Sequence, residues 1–269
     1  MKFAIICSNK DQAGLTIKKS LIDLFRFEKT DELFENNPVF TFNNTKLYTA
    51  NQDSVYCEDI DKKIQADLFI FATKHESRNS IPSLSVHTQG NWYKAEFGGR
   101  DSQLCIGPAN FLKTALIKLT ELAKNLDFEI IQECTHHGPY LEKPSMFIEI
   151  GSSEEQWVRK DAAKIIAQTI IHLTESTIPI HKTAVGLGGL HHTPSFKKII
   201  VNSDIAIGHV CPKYMLEHLN AEILQQAIER TWPKAEMIIL DYKGLGKHKE
   251  HVKDILKNFS LEIKRTKEF

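Results

Sequence analysis

The sequence predicts an α/β fold in which a mostly parallel sheet carries helices on both faces. Three observations support this prediction. Apolar runs of strand length alternate with amphipathic segments of helix length, apolar residues make up 42% of the 269 residues, and no repeat or low-complexity tract breaks the alternation. A chain of this length buries a large core without needing disulfides. We therefore expect residues 1–269 to form a single domain.

The first half of the chain opens with a strand and a helix. Phe3–Ser8 is a continuous apolar run, and residues 14–25 carry apolar side chains at helical spacing. Asn43 and Asn44 separate two short runs at 39–42 and 46–49, and because asparagine tolerates positive φ, we predict a hairpin there. The elements predicted next are a strand at 67–73, a helix at 109–122 after Pro108, and strands at 128–133 and 146–150.

The second half continues the alternation. Ser152 or Ser153 can cap a helix that runs to about residue 173, with Glu155 or Gln156 closing a capping box. Asn220 can cap another helix that ends near residue 232. The remaining predicted elements are strands at 183–187, 199–201, 205–210, 237–240 and 261–264, and a helix at 248–259. In such folds, ligands bind in loops at the carboxyl ends of strands.

Charge and cysteine content exclude several classes of protein. Lys plus Arg and Asp plus Glu both number 34, which excludes a protein held to nucleic acid by bulk charge alone but leaves room for a local basic patch. No apolar run approaches the roughly 18 residues of a membrane span, and the apolar N-terminus is too short for a signal peptide. Five scattered cysteines without a CxxC motif favour a reducing compartment. We expect a cytoplasmic monomer with no membrane partner.

Histidine is the unusual component. Of the 12 histidines, six lie in turns that contain glycine or proline: His87, His136, His137, His191, His192 and His209. Taken singly, they have structural alternatives: a polar surface turn around His87, a hydrogen-bonded loop residue at His136 or His137, and a core histidine at His209. Together they suggest a metal site, because neutral imidazole is the commonest zinc ligand and catalytic zinc usually takes three protein ligands. The HExxH motif is absent, so the ligands must come from separate loops.

Two further segments contain candidate functional groups. Glu149 stands between isoleucines in a predicted strand, where a buried carboxylate must be paired, protonated or bound to metal; the alternative is an exposed edge strand. Gly151 and Ser152 precede a predicted helix, whose N–H groups can hold an anion. Cys134 beside a histidine could act as a nucleophile, although a cysteine in a strand is more often a small buried hydrophobe.

The glycine-rich loop at 186–189 superficially resembles a dinucleotide-binding loop. We reject that interpretation, because Pro194 stands where the following helix should begin and no acidic residue lies at the expected offset. Small residues at Gly188 and Gly189 instead allow a substrate to approach the backbone closely.

Taken together, these segments resemble the archaeal and plant type of D-aminoacyl-tRNA deacylase. The matching segments, in the family's order, are Ser85-Val86-His87-Thr88 with Gly90-Asn91-Trp92, Thr135-His136-His137-Gly138-Pro139, Glu149-Ile150-Gly151-Ser152, Gly186-Leu187-Gly188-Gly189-Leu190-His191 with Pro194 and Phe196, and Gly208-His209. The chain departs from the pattern at Gln89, where the family has proline, and at His192, where it has tyrosine. The resemblance implies an α/β fold related to phosphorylases and peptidyl-tRNA hydrolases, and zinc-dependent hydrolysis of the ester between a D-amino acid and the tRNA 3′ end.

The resemblance also implies roles for the candidate residues. The expected Zn²⁺ ligands are His136, His191 and His209. The expected catalytic residues are His87, Thr88, Thr135, His137 and Glu149. The expected substrate-binding residues are Gly188, Gly189, Gly151 and Ser152. In this scheme Glu149 or a histidine takes the proton of water, and a threonine hydroxyl or the N–H groups of Gly188 and Gly189 stabilise the oxyanion.

A polyanionic partner such as tRNA needs a basic surface. Residues 243–269 carry eight basic and four acidic side chains, a net charge of +4 on a neutral protein, and we expect Lys247, Lys249 and Lys253 to contact tRNA phosphates. The alternative is a solvated helix and tail. Two other functions stay open: a related hydrolase that acts on peptidyl-tRNA or a small amide, and a tRNA-binding or metal-storing module without turnover.

Overall fold

The computed structural model describes residues 1–77 and 81–269. Its helices are α1 (Gln12–Phe25), α2 (Ala109–Leu122), α3 (Glu154–Trp157), α4 (Lys160–Glu175), α5 (Pro194–Asn202), α6 (Ala221–Glu229) and α7 (Lys249–Leu256). Its strands are β1 (Phe3–Ser8), β2 (Glu28–Phe34), β3 (Asn37–Phe42), β4 (Thr45–Ala50), β5 (Leu68–Lys74), β6 (Ser83–His87), β7 (Gly107–Pro108), β8 (Glu129–Gln132), β9 (Ser145–Gly151), β10 (Lys182–Leu187), β11 (Ile205–Cys211), β12 (Thr231–Trp232), β13 (Met237–Leu240) and β14 (Glu262–Arg265). Within the described ranges, no helix is long and apolar enough to cross a membrane.

The strands are divided between two main sheets. The large sheet has the order β2-β3-β4-β1-β5-β9-β6-β8, with parallel pairing from β4 through β9 and antiparallel pairing at β2-β3-β4 and between β9 and β6. The small sheet, β11-β10-β13-β14, is entirely parallel. The predicted mostly parallel α/β class is confirmed, although two sheets replace the single one that the alternation suggested.

One apolar core joins the two sheets. Ile5 and Ile148 of the large sheet, Leu112 of α2, and Ile207 and Ile239 of the small sheet belong to the same cluster of buried side chains. The helices α1 and α2 each pack against α4 inside it. This continuity supports our proposal that the chain is a single domain.

The two faces of the large sheet are covered differently. On the face away from the core helices, Phe71 and Phe147 stack with ring centroids 4.7 Å apart beneath short 3₁₀ turns at Ser54–Tyr56 and Ile60–Lys62. Helices cover both faces only of the small sheet, whose outer face packs against α6 and α7. Loops and turns rather than an α-helix therefore cover one face of the large sheet, and the candidate site lies on that face.

Most predicted elements are confirmed, and the exceptions have physical causes. The strand predicted at 199–201 is wrong, because these residues lie in α5; proline is favoured at the first position of a helix, so Pro194 begins α5 rather than preventing it. The helix predicted from residue 152 is interrupted between α3 and α4. Four strands were missed. β2 is rich in charged residues and largely exposed, whereas the polar residues of β6 are all buried. β7 and β12 have only two residues each, and β12 takes the place of the last turn of the helix predicted to end near residue 232.

Candidate active site

Glu149 lies at the centre of a buried polar cluster. Its strand, β9, is paired on both sides, so the alternative of an edge strand does not hold. The carboxylate accepts hydrogen bonds from the hydroxyls of Thr73 at 2.9 Å and Ser85 at 3.2 Å. The rings of His75 and His87 approach within 3.6 and 3.7 Å. Burial raises the pKa of Glu149, but the two imidazoles outweigh burial and hold this pKa well below its usual range, so the carboxylate is ionised.

A second buried carboxylate, Glu133, follows β8. The Nε2–H group of His191 donates to it at 2.8 Å, and His75 Nδ1 lies 3.2 Å from its other oxygen. Burial opposes ionisation of Glu133, but the bond from His191 lowers its pKa below the usual range. His75 therefore bridges Glu133 and Glu149. His75 is not among the residues that the sequence patterns singled out, although it directly follows the carboxyl end of β5, the type of position at which functional loops are expected.

Three histidines bring their ring nitrogens together beside these carboxylates. The candidate ligand atoms of His87, His136 and His137 all lie within 4.8 Å of one another. The Nδ1–H groups of His136 and His137 donate to the carbonyls of Cys134 at 2.9 Å and Gly138 at 2.6 Å, so each Nε2 keeps a free lone pair. His87 is fully buried, and neither of its ring nitrogens has a hydrogen-bond partner among the described residues.

Electrostatics favour the neutral forms of His136 and His137. Burial, with a further contribution from neighbouring histidines, lowers the pKa of His136 well below its ordinary value and that of His137 to about 4. A metal ion binds neutral imidazole, and a metal ligand commonly donates its other N–H to a carbonyl oxygen. His87, His136 and His137, here called the three-histidine group, therefore have the chemistry of a metal site.

Two other groups are close enough to hold a metal ion: Cys134 with His136 and His191, and His75 with Glu133 and Glu149. The first of these is the weaker candidate, because His191 favours its charged form. Burial opposes that charge, but contacts with Cys134 and Glu133 outweigh burial and raise the pKa of His191 to about 11. Its Nδ1 lies 3.4 Å from Cys134 Sγ and 3.1 Å from Tyr214 Oη. His191 therefore stays a predicted ligand within this group, and its charged form also makes it a candidate proton donor.

Two cavities meet at the histidines. The larger, of about 460 Å³, is lined by Glu149, His75 and His191 as well as by polar residues such as Asp11 and Lys74. The smaller, of about 260 Å³, has a more apolar wall. Its apolar side chains include Trp92, Phe97, Tyr214 and Met215. Both cavities are also lined by Phe97, His136 and His137. A substrate with two unlike ends can therefore occupy both cavities, with its reactive bond beside His136 and His137.

Comparison with known proteins identifies the family. A family model described as D-aminoacyl-tRNA deacylase matches residues 62–264. The chain belongs to the D-aminoacyl-tRNA deacylase family. A relative of that name from Thermococcus onnurineus is 37% identical over 97% of this chain and 98% of its own length. One from Methanosarcina acetivorans is 33% identical over 99% of this chain and 93% of its own length.

A solved structure shares the fold. It is described as a conserved protein of unknown function, and it superposes with a TM-score of 0.91 at 30% identity over 99% of this chain and 96% of its own length. The shared fold therefore extends over almost the whole chain. The likeness to phosphorylases and peptidyl-tRNA hydrolases stays a prediction.

The structure brings some of the predicted site residues together and separates others. The predicted residues that gather around the larger cavity and the buried cluster are His87, His136, His137, Glu149 and His191. His209 does not join them. Its Nδ1 accepts a hydrogen bond from the hydroxyl of Thr135 at 3.1 Å, and its Nε2–H donates to the carbonyl of Arg230 at 3.3 Å. Because both ring nitrogens are engaged in these hydrogen bonds, the geometry gives no support to the predicted role of His209 as a ligand.

The two threonines predicted to be catalytic are not among the described residues that line the larger cavity with Glu149. Thr135 lines the smaller cavity, with its hydroxyl engaged by His209. Thr88 packs against Gly107, where an added Cβ would lie 2.8 Å from the threonine hydroxyl. Among the described residues that line the two cavities, Thr88 is absent. Its predicted oxyanion role has no support in this geometry.

Gly188 and Gly189 do not offer free N–H groups. They adopt φ values of +99° and +84°, which favour glycine, and their N–H groups donate to the carbonyls of Cys211 at 2.8 Å and Gly244 at 3.4 Å. The turn that they form carries the chain from β10 towards His191. Because these N–H groups already donate to backbone carbonyls, the predicted oxyanion role has no support in this geometry, whereas the predicted role of the two glycines in substrate binding stays a prediction.

Gly151 and Ser152 also have structural partners. The Ser152 hydroxyl donates to the carbonyl of Ile81 at 2.7 Å, and the following helix, α3, has only four residues, which leaves the predicted anion site without a helix of useful length. A Cβ on Gly151 would lie 2.8 Å from His75 Cδ2 and 2.7 Å from Ser83 Oγ. Glycine at this position therefore lets His75 pack close to the carboxylates.

We expect the substitution Gly151→Ala to destabilise the protein by about 1–3 kcal/mol, because overpacking forces buried neighbours to shift. It should also lower turnover by moving His75. Thermal unfolding of Gly151→Ala, His75→Ala and the double variant measures the coupling between the two sites. The alanine at residue 75 should relieve part of the clash, and strictly additive losses would contradict this contact.

Proposed function

We propose that this protein hydrolyses the ester bond of D-aminoacyl-tRNA and releases a free D-amino acid and tRNA. Membership of the deacylase family along nearly the whole chain supports this reaction. The observation that carries the proposal is an ionised Glu149 that lies 3.7 Å from His87 of the three-histidine group and lines a cavity of about 460 Å³. Ester hydrolysis needs a base for the water and a group that polarises the carbonyl, and both are available there.

We further propose that the three-histidine group holds a zinc ion. The donor set fits, because the Nε2 lone pairs of His136 and His137 are free and the buried nitrogens of His87 lack partners among the described residues. Bound zinc supplies a Lewis acid that polarises the ester carbonyl and lowers the pKa of a bound water towards about 7. His87, His136 and His137 would supply three neutral imidazole donors to such an ion, the usual number of protein ligands at a catalytic zinc site.

The remaining steps belong to protein side chains. Glu149 lines the larger cavity and is the base that accepts the proton of the attacking water. His191, held by Glu133 at 2.8 Å, also lines this cavity and donates a proton to the departing ribose oxygen. His75 orients both carboxylates. Thr73 and Ser85 direct the two oxygens of Glu149 through their hydroxyl groups.

The two cavities suggest where the two ends of the substrate bind. The smaller cavity, with Trp92 and Met215 in its wall, takes the amino-acid side chain. The larger one, with polar residues including Asp11 and Lys74, takes the terminal nucleoside of the tRNA. The scissile ester then lies beside His136 and His137, which both cavities share. We also propose that the protein acts as a cytoplasmic monomer; its five buried cysteines are unpaired, as is usual in a reducing compartment.

The proposed reaction is tested by measuring deacylation of D-tyrosyl-tRNA, L-tyrosyl-tRNA and a peptidyl-tRNA by the purified protein. We expect turnover of the D ester and little turnover of the other two, because a shaped pocket excludes the wrong enantiomer by steric clash. Equal rates on both enantiomers would contradict D selectivity. Preference for peptidyl-tRNA would favour the related hydrolase, and tRNA binding without any turnover would favour a binding module.

A further inference from the structure

A third cavity lies at the small sheet and is surrounded by positive charge. It measures about 430 Å³, and its walls are formed by Ser195, Lys198, Asp241, Tyr242, Lys243, Arg265, Thr266 and Lys267. We call it the basic groove. Nearby lysines outside the groove are paired: Lys253 with Glu250, Lys257 with Asp254 and Lys264 with Glu262. Across residues 1–77 and 81–269, by contrast, the groove residues Lys198, Lys243, Arg265 and Lys267 form no ion pair.

The single carboxylate in the groove does not neutralise these cations. One oxygen of Asp241 accepts a hydrogen bond from the Ser195 hydroxyl at 3.1 Å, and the other accepts from the Gly244 N–H at 2.9 Å. The guanidinium of Arg265 lies 4.2 Å from the centroid of the Tyr242 ring, which holds it in place through a cation–π contact. Four basic side chains against one carboxylate leave the groove with an excess of positive charge.

The groove shares an edge with the candidate active site. All strands of the small sheet are parallel, so their carboxyl ends meet at one edge. At that edge β10 leads to His191, while β13 and β14 end beside Asp241 and Arg265. Two strand spacings separate β10 from β14, a distance of about 10 Å. His191 is also only four residues from Ser195, a span of at most about 14 Å even when extended.

We propose that the basic groove binds the phosphodiester backbone of the tRNA acceptor arm close to its 3′ end. This inference rests on the proposed function, because it needs an RNA whose terminal ester lies beside His191. Lysine and arginine side chains hold phosphates without reading the base sequence, as an enzyme acting on many tRNAs requires. The groove also differs from the predicted patch of Lys247, Lys249 and Lys253, in which Lys253 is paired with Glu250 and Lys249 lies 5.0 Å from the Tyr242 ring.

The test compares two triple variants with equal loss of charge. The groove variant is Lys198→Gln, Lys243→Gln and Arg265→Gln, and the matched control is Lys253→Gln, Lys257→Gln and Lys264→Gln. Binding of uncharged tRNA is measured at several salt concentrations, and KM and kcat are measured with D-tyrosyl-tRNA. For three lost phosphate contacts the groove variant should lose about 2–3 units of the log–log salt slope. Its KM should rise while kcat at saturation is retained.

The control should keep the affinity and salt slope of the wild-type protein. An unchanged slope in the groove variant, an equal loss in the control, or no affinity of the wild-type protein for tRNA would each overturn the proposal. Because binding is measured with uncharged tRNA, the groove is judged independently of turnover. A protein that binds tRNA through the groove but does not cleave D-tyrosyl-tRNA would refute the proposed function and leave the groove standing.

Discussion

Replacing His136 by alanine is expected to remove bound zinc and to lower kcat on the order of 10³-fold. The metal contributes several kcal/mol to transition-state stabilisation, and each 1.36 kcal/mol is a factor of ten in rate. His87→Ala and His137→Ala should behave alike, because the ligand atoms of the three lie within 4.8 Å of one another. Zinc content by elemental analysis and single-turnover deacylation of D-tyrosyl-tRNA measure the two losses.

The control for this experiment is His172→Ala, since His172 lies on α4 and outside the described cavities. It should keep both zinc and activity. Wild-type protein treated with a chelator should lose activity and regain it with added zinc. Added zinc should not restore activity to His136→Ala. Full activity in wild-type protein that elemental analysis shows to be metal-free would rule out the metal assignment. In that case a histidine of the group would have to act as the general base.

Glu149→Gln is expected to lower kcat by about 10²–10⁴-fold, the usual contribution of a general base. The amide has nearly the same shape as the carboxylate and can still accept hydrogen bonds from Thr73 and Ser85, but it cannot take a proton from water. Zinc content and KM for D-tyrosyl-tRNA should stay near the wild-type values. The measurement is a kcat and KM determination with zinc analysis of the same preparation.

Ser85→Ala is the matched control for this variant. It removes one donor, at 3.2 Å, from Glu149 and leaves the carboxylate in place, so we expect a much smaller loss of kcat. Thermal unfolding of both variants shows whether a loss of kcat comes from the chemical step or from a loss of folded protein. If Glu149→Gln kept its kcat, or lost zinc together with activity, the assignment of Glu149 as base would fail and Glu133 would be the next carboxylate to test.

Local sequence patterns were sufficient for most of the elements. The strand Phe3–Ser8 and the helix Ala109–Leu122 have the bounds that their apolar spacing predicts, because period and capping are short-range properties. The hairpin at Asn43 is confirmed for the same reason, with φ of +50° at that residue. β6 was missed because its strand signal is short and it contains Ser83 and Ser85, which are buried only through contacts with distant strands.

By itself, the sequence determined the α/β class, the family resemblance and the concentration of histidines in a few short segments that contain glycine or proline, although His87 ends β6 and His209 lies within β11. Tertiary structure alone decided which histidines meet. His87 reaches Glu149 because β6 runs antiparallel to β9, which brings side chains 62 positions apart in the chain onto one face of the large sheet. Hydrogen bonding then separates the histidines: His136 keeps a free lone pair, whereas both ring nitrogens of His209 form hydrogen bonds, with Thr135 and Arg230. Such pairings depend on register and crossover between remote strands, and no local spacing encodes them.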